Sequence, residues 1–456
     1  MTGLTSALAE QAAGLTFDEL PDNVATTARL CLLDWLGVTV VGSAEPAPRT
    51  LLQTLAPPHV ADGASVIGHR IRVSPLQAAL INGTSSHVLD FDDVNATLIG
   101  HPSVAILSAV LALAESRRRP GPEFLCAFVA GYETACRVAA AIGPLSYLRG
   151  FHHTGTIGTL GAAAACARLL SLNAERTTVA IALAATQAAG LGCMVGTMSK
   201  SFHAGKACES GLLAALLAEN GFTANQSAIE YAKGFAATAS GQCDAAAALA
   251  EPPMGWHIVS NLFKFDASCY MTHSTLAGMR ELRAQHELNP ERIAEIRLHL
   301  GELEFATCAL PTPTTGLEVK FSVAHLAAMA GLGRSTMVID DAAARDPAVI
   351  ALREKVTVTD DGTSGAATVV EVILNDGERL IAACDVNTPE HDLTLLRQRV
   401  EQKFRTITTP HLSRDRAEAI IAAVILPTAT LDVRSVARLT EPAPDPGDAV
   451  RVRPRG

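Results

Sequence analysis

Ten cysteines are scattered along 456 residues, and no two of them form a CxxC pair. That spacing offers neither a thiol-redox motif nor a zinc-ribbon framework. Several, such as Cys136 and Cys166, fall in alanine-rich runs and read as small buried hydrophobes of a reducing compartment. Charge is scarce as well: 18% of the residues are Asp, Glu, Lys or Arg, and the net charge is −10. The deficit of positive charge argues against a general nucleic-acid or anionic-membrane surface. A site for an acidic ligand must therefore be a local basic pocket in an acidic shell. The opening MTGLTSALAEQAAGL lacks a basic segment, so it does not read as a signal peptide, and a cytoplasmic location is expected. One long uncharged run, residues 177–199, includes Gln187, several Thr and three Gly, and lacks flanking aromatic belts. It reads as a buried helix and loop, not as a membrane span. There is no phosphate-binding glycine loop, no paired metal-ligand cluster and no internal repeat.

Apolar residues make up 48% of the chain, the composition of a compact globular protein long enough for two domains. Residues 1–267 read as a helical domain. Asp22 is placed to cap a helix over 23–36, which Gly37 weakens. Ser74-Pro75 and Gly121-Pro122 open further helices, since Pro in the first turn loses no hydrogen bond. The runs 162–170 and 178–190 are alanine-rich, and 210–219 ends at Asn220-Gly221, a C-cap signal. Residues 268–399 change character and predict a smaller α+β domain with an antiparallel sheet. Its strands fall at 293–300, 356–359, 367–374 and 380–386, with a hairpin turn at Asn375-Asp376-Gly377. Helical pattern returns at 393–404 and, behind Ser413, at 413–425. The segment 400–440 is expected to complete the first domain. Residues 441–456, rich in Pro and Arg, predict a disordered tail. The fold class is thus mainly α, a large helical domain plus a smaller α+β one.

The chemistry concentrates in residues 81–113. An apolar helical run feeds Asp90, Asp92 and Asp93, an uncharged loop follows, and His101-Pro102-Ser103 opens a second apolar run. Charges between buried segments need partners or have a task. One alternative is a hub of caps and salt bridges. In the other, His101 sits at a helix N-terminus, where the dipole disfavours a second proton and leaves a neutral imidazole able to act as a base. Farther on, His152 and His153 precede Thr154-Gly155-Thr156, a helix start whose exposed N–H groups suit a carboxylate. Lys200, His203 and Lys206 stand three apart, spread over roughly 120° of a helix.

These blocks resemble the family named after MmgE and PrpD. The resemblance rests on Asp90-Phe91-Asp92-Asp93, His101-Pro102-Ser103, Gly150-Phe151-His152 and Thr154-Gly155-Thr156. It continues through Gly196 to Lys200, His203-Ala204-Gly205, Lys264 with Cys269 and His273, and Lys320-Phe321-Ser322. Together they reach from Asp90 to Ser322 in the family's order. The family includes 2-methylcitrate dehydratases, cis-aconitate decarboxylases and an iminodisuccinate epimerase. The resemblance implies a cofactor-independent acid–base enzyme, without metal, acting on a small di- or tricarboxylate in a cleft between the domains. It implies Asp90, His101, His152 and Lys200 as catalytic residues. Thr154, His203, Lys206, Lys264 and His273 are expected to bind substrate. Asp92 and Asp93 are expected to orient histidines or cap helices, and Cys269 to be buried. It also implies a homodimer formed through the helical domain.

Two departures stand out. Where family members often carry Thr after the Asp cluster, this chain has Val94. Where they often carry Tyr after Lys-Phe-Ser, it has Ala324-His325, and two readings of His325 stand: a substrate-site acid in place of the phenol, or a helix histidine facing the core or solvent. A lyase is the expected activity, with an epimerase second and a non-catalytic helical interaction protein third. Retention of the four catalytic positions argues against the third.

Overall fold

The computed structural model describes residues 3–360, 367–426 and 430–442. The proline-rich tail lies outside the described residues beyond Pro442. The first part is built of helices α1 (Leu4–Gly14), α2 (Asp22–Gly42), α3 (Pro75–His87), α4 (Pro102–Arg117), α5 (Gly121–Ile142), α6 (His153–Leu169), α7 (Ala174–Ala185) and α8 (Met198–Glu219). Ser74 caps α3, its hydroxyl accepting the Gln77 N–H, with Pro75 in the first turn. The uncharged run 177–199 does not make one long element: α7 stops at Ala185 and a loop leads to α8. Two helices, α2 and α5, are long and apolar enough to cross a membrane, but their apolar windows are 83% and 89% buried within the fold.

Small residues let these helices pack closely. At the crossing of α3 and α8, a Cβ added to Gly83 would lie 2.8 Å from the Gly205 Cα. This contact brings the end of α3, which leads into the Asp loop, against the helix that carries Lys200. Gly37 does not weaken α2 as expected, and the helix runs on to Gly42. A Cβ on Gly37 would meet the Phe404 ring at 2.9 Å, so the glycine makes room for a returning helix.

The second part contains α9 (His273–His286), β1 (Ile293–Leu300), α10 (Val323–Gly331), β2 (Val356–Asp360), β3 (Thr368–Leu374) and β4 (Arg379–Cys384). Strand order is β2-β1-β3-β4. β1, β3 and β4 pair antiparallel, with Leu298 opposite Val370 and Val370 opposite Ala382. The edge pair β1–β2 is parallel, Ile296 opposite Val356, which an all-antiparallel reading did not foresee. The cause is connectivity: helices fill the long stretch between β1 and β2, and such a crossover delivers the next strand in the same direction. Gly377, at φ +88°, closes the β3–β4 hairpin as its sequence suggested.

The chain then returns through α11 (Leu393–Thr408), α12 (Arg414–Ile425) and α13 (Val433–Leu439). Two cores result. The larger joins α1–α8 with Leu396, Val400 and Phe404 of α11 and Ile420 and Val424 of α12. The smaller packs Leu276 and Met279 of α9 and Leu326 of α10 on Ile296, Leu298, Val370 and Val372 of the sheet.

Candidate active site

Two helices present a histidine in the same way. His101 is the N-cap of α4 and His152 the N-cap of α6, both with extended backbone. Neither ring makes a capping hydrogen bond. The rings are therefore free for other work, which sets aside the cap reading for the His101 side chain. A residue in the left-handed region starts the loop between α3 and α4: Asp90 has φ +51°. Asp tolerates that region better than most residues, at some cost.

Three lysines hold this turn through successive carbonyls. Lys320, from the second part, donates to Leu89 O. Lys264 donates to Asp90 O at 2.9 Å, and Lys403 of α11 to Phe91 O at 2.6 Å. All three are buried. Burial lowers the Lys320 pKa to about 8. Lys403 also pairs with buried Asp34 of α2 at 2.6 Å.

The carboxylates divide the work. Asp90 Oδ1 lies 2.5 Å from Lys264 Nζ, 3.1 Å from Lys200 Nζ and 3.7 Å from His101 Nε2. Burial alone would raise its pKa, but Lys200, Lys264 and His101 hold it well below the ordinary carboxylate value. Asp92 Oδ2 lies between two imidazoles, 2.8 Å from His87 Nδ1 and 2.9 Å from His101 Nδ1. Asp93 accepts the Ser103 hydroxyl at 2.5 Å, and its carbonyl lies 3.0 Å from His101 Nδ1. Asp92 and Asp93 thus orient a histidine and the start of α4.

With two oxygen acceptors beside it, Nδ1 of His101 carries the proton in the neutral ring, and Nε2 carries the lone pair. Burial depresses the His101 pKa despite Asp92, so the neutral form prevails at neutral pH. Its 3.7 Å separation from Asp90 is too long for a hydrogen bond, which leaves Nε2 open. His152 is depressed further, first by burial and then by its cationic and imidazole neighbours.

His101, His152 and Lys200 line one cavity of about 180 Å³. The cavity draws on both parts of the chain, with Val94, Leu262, Met271, Leu303 and Phe321 among its walls. Asp90 stands behind Lys200 in an adjoining crevice. A roomier cavity of about 390 Å³ near Glu133 and Arg137 has no imidazole or lysine among the described residues of its lining. The atoms of His87, Asp92 and His101 all lie within 4.8 Å of one another and could hold an ion. The sequence spacing did not reveal this group. Two ligands of a tetrahedral zinc would stand roughly 3.3 Å apart. Asp92 instead meets each ring at hydrogen-bond distance, the arrangement of two imidazole N–H groups sharing a carboxylate.

Sequence models describe the same two parts. The MmgE/PrpD N-terminal domain matches residues 6–247 and the MmgE/PrpD C-terminal domain matches residues 267–426. The chain belongs to the MmgE/PrpD family. A cis-aconitate decarboxylase of Aspergillus terreus is 25% identical over 464 residues, covering 92% of each chain. That of Mus musculus is 26% identical over 452 residues, 93% of this chain and 90% of the relative. The Homo sapiens enzyme is 31% identical over about half of each chain.

None of the six residues that MmgE/PrpD resemblance suggested for substrate binding lines the cavity of His101. Thr154 is buried, and its Oγ1 accepts the His101 backbone N–H at 3.2 Å, so it holds the histidine in place. Lys264 is wholly buried and spent on Asp90. His203 backs His152, their Nδ1 atoms 3.1 Å apart. Lys206 is exposed and pairs with Glu209, because six residues of helix rotate it about 120° from Lys200. His273 lines a separate cavity of about 320 Å³ beside Asp266 and Arg280. His325 does not replace the cleft phenol: α10 turns it inward, where Nε2–H donates to Ala343 O at 2.9 Å. Two other phenols, Tyr147 and Tyr270, line the cavity instead. Cys269, expected to be buried, is half-buried there and lines the cavity. Of the ten cysteines, Cys193 and Cys243 are exposed.

The buried histidines have a consequence for stability. Burial lowers His87 to about 3 and His153, His257 and His273 to about 4, from 6.5. The folded protein therefore binds fewer protons than the unfolded chain between about 4 and 6.5, and stability must fall as pH drops through that window. Asp93 and Glu133 oppose this. Burial raises both to about 7, so the stability they give is lost as pH rises toward 7. Burial raises Asp34 and Glu115 as well, but among the described residues ten histidines are lowered against these four raised carboxylates, since His69, His101, His152, His203, His325 and His411 are depressed too, and the urea midpoint is expected to rise steadily from pH 4.5 to 6.5. A flat or falling midpoint over that range would show that the histidines are protonated in the folded state.

Proposed function

We propose that this chain is a cofactor-independent acid–base enzyme acting on a small di- or tricarboxylic acid, most simply as a lyase of the decarboxylase or dehydratase kind. One observation carries the reading: His101, with Nδ1 fixed on Asp92 and Nε2 without a hydrogen bond, lines a cavity whose walls also include Lys200. In this reading His101 Nε2 takes the carbon-bound proton as hydroxide leaves in a dehydration; in a decarboxylation it first takes a proton from solvent and then gives it to the carbon from which CO2 has departed. Lys200 binds a substrate carboxylate and stabilises the negative charge that grows on the adjoining carbon. Asp90 is not the base, since its pKa is held low. It fixes Lys200 and biases His101 through charge. The cis-aconitate decarboxylases among the relatives support a decarboxylase.

A second reading draws on a different observation. Two neutral imidazoles, His101 and His152, line the same cavity, and a pair of bases can take a proton from one face of a carbon and return it to the other. That describes an epimerase. Proton NMR in D2O with a panel of small polycarboxylates separates the readings. An alkene or CO2 appearing in the spectrum and headspace supports the lyase, and deuterium entering an unchanged skeleton supports the epimerase. If no acid in the panel reacts or exchanges, both readings fail.

We further propose a homodimer formed through the helical part. Light scattering at micromolar concentration is expected to give about twice the 47.6 kDa chain mass, and a monomer mass would count against it.

A further inference from the structure

We infer that the natural substrate carries no more than two carboxylates and presents an uncharged alkyl face to the cavity. This rests on the acid–base reading above and narrows its substrate class. The argument is one of charge and surface. Among the described residues, Lys200 is the only lysine or arginine that lines the His101 cavity, and its ammonium is already 3.1 Å from Asp90. Lys264 and Lys320 bring positive charge near, but both are turned away, onto the Asp90 carboxylate and the Leu89 carbonyl. The two lining histidines are kept neutral by burial. Glu304 adds a carboxylate of its own to the lining.

The remaining walls are largely hydrocarbon. Val94, Ile99, Leu262, Met271, Leu303 and Phe321 contribute them, from the Asp loop, the junction and the second part of the chain. One substrate carboxylate is met by Lys200. A second has neutral donors, since Asn387 and a cluster of Thr307 with Tyr147, their hydroxyls 3.4 Å apart, also line the cavity, while the Tyr270 hydroxyl is spent on the Val386 carbonyl. A third would have to rest against the apolar wall or beside Glu304, leaving an ionised group desolvated without a partner, which is strongly disfavoured. A short alkyl substituent fills that wall instead. Val94 contributes to it directly, with methyl groups and no hydroxyl.

The test is calorimetric binding of three saturated acids that have no leaving group, so that turnover does not intrude: succinate, 2-methylsuccinate and tricarballylate. The full-length protein is expected to bind 2-methylsuccinate at least tenfold more tightly than tricarballylate, and more tightly than succinate. Leu303→Lys places a cation on the half-buried apolar wall and is expected to shift the preference at least tenfold toward tricarballylate. If wild-type protein binds tricarballylate as tightly as 2-methylsuccinate, the inference is overturned while the acid–base reading stands. If none of the three acids binds and none of the wider polycarboxylate panel exchanges deuterium, the reading itself is lost, and the inference with it.

Discussion

His101→Asn is expected to lower turnover by roughly 10²–10⁴-fold, the range for loss of a general acid–base group, while leaving the protein folded. The two halves of that expectation come from different atoms. The His101 backbone caps α4 and its N–H reaches Thr154 Oγ1, and Asn can keep both. The ring makes no capping bond, so nothing in the helix start depends on it. The ring does supply Nε2, whose lone pair is set by Nδ1 on Asp92, and an amide cannot exchange a proton near neutral pH. Turnover of whichever acid the D2O panel identifies, measured beside the thermal unfolding midpoint, separates the two roles. Near-parental turnover in a folded variant would move proton transfer to His152.

Lys403→Met is expected to cost about 3–5 kcal/mol of stability, the usual price of stranding one member of a buried ion pair. Asp34 and Lys403 are both fully enclosed, 2.6 Å apart. Burial pushes Asp34 up and Lys403 down despite their mutual attraction, so desolvation outweighs the pairing. The pair is therefore costly to break and not costly to replace. The double change Asp34→Leu with Lys403→Met is expected to recover most of the loss, less the bond from Lys403 to Phe91 O and its position 4.0 Å over the Phe91 ring. Urea denaturation of the single and double variants checks this. Equal losses in both would mean that Asp34 is neutral in the folded state and that the ion pair as described is wrong.

Local chemistry was legible in the sequence. Ser74 before Pro75, Ser413 before α12 and the Asn375–Gly377 turn each fix an element through neighbouring atoms, and each stands where expected. The histidines at 101 and 152 also came out at helix starts, because a Pro or a Thr-Gly run after each sets the backbone. What the sequence concealed depends on distance along the chain. Lys403 reads as one polar residue on an amphipathic helix, yet its partner Phe91 is 312 positions away. His87 closes an apolar helix and gives no sign that Asp92 lies on its ring. Ile99 adopts φ +50° in the loop before His101, a conformation that β-branched residues avoid and that no propensity would assign. Lys206 and His325 were misplaced for a related reason: spacing and motif position do not say which way a helix is rotated in its packing.

The three lysines on consecutive carbonyls bear on how the protein is made. They come from the junction, the second part and α11, in that order along the chain. During synthesis the helical part emerges first and folds as a unit. At that stage α2 carries Asp34 with no cation to meet it, and the turn at Asp90 has none of its three clamps. Lys264 arrives first, then Lys320, and Lys403 only near the end. A nascent chain that has finished most of its helices therefore still lacks an ordered proton-transfer site. The last of the three clamps is set only when α11 docks, so a fragment ending before α11 is expected to show no turnover of an acid that the full chain converts.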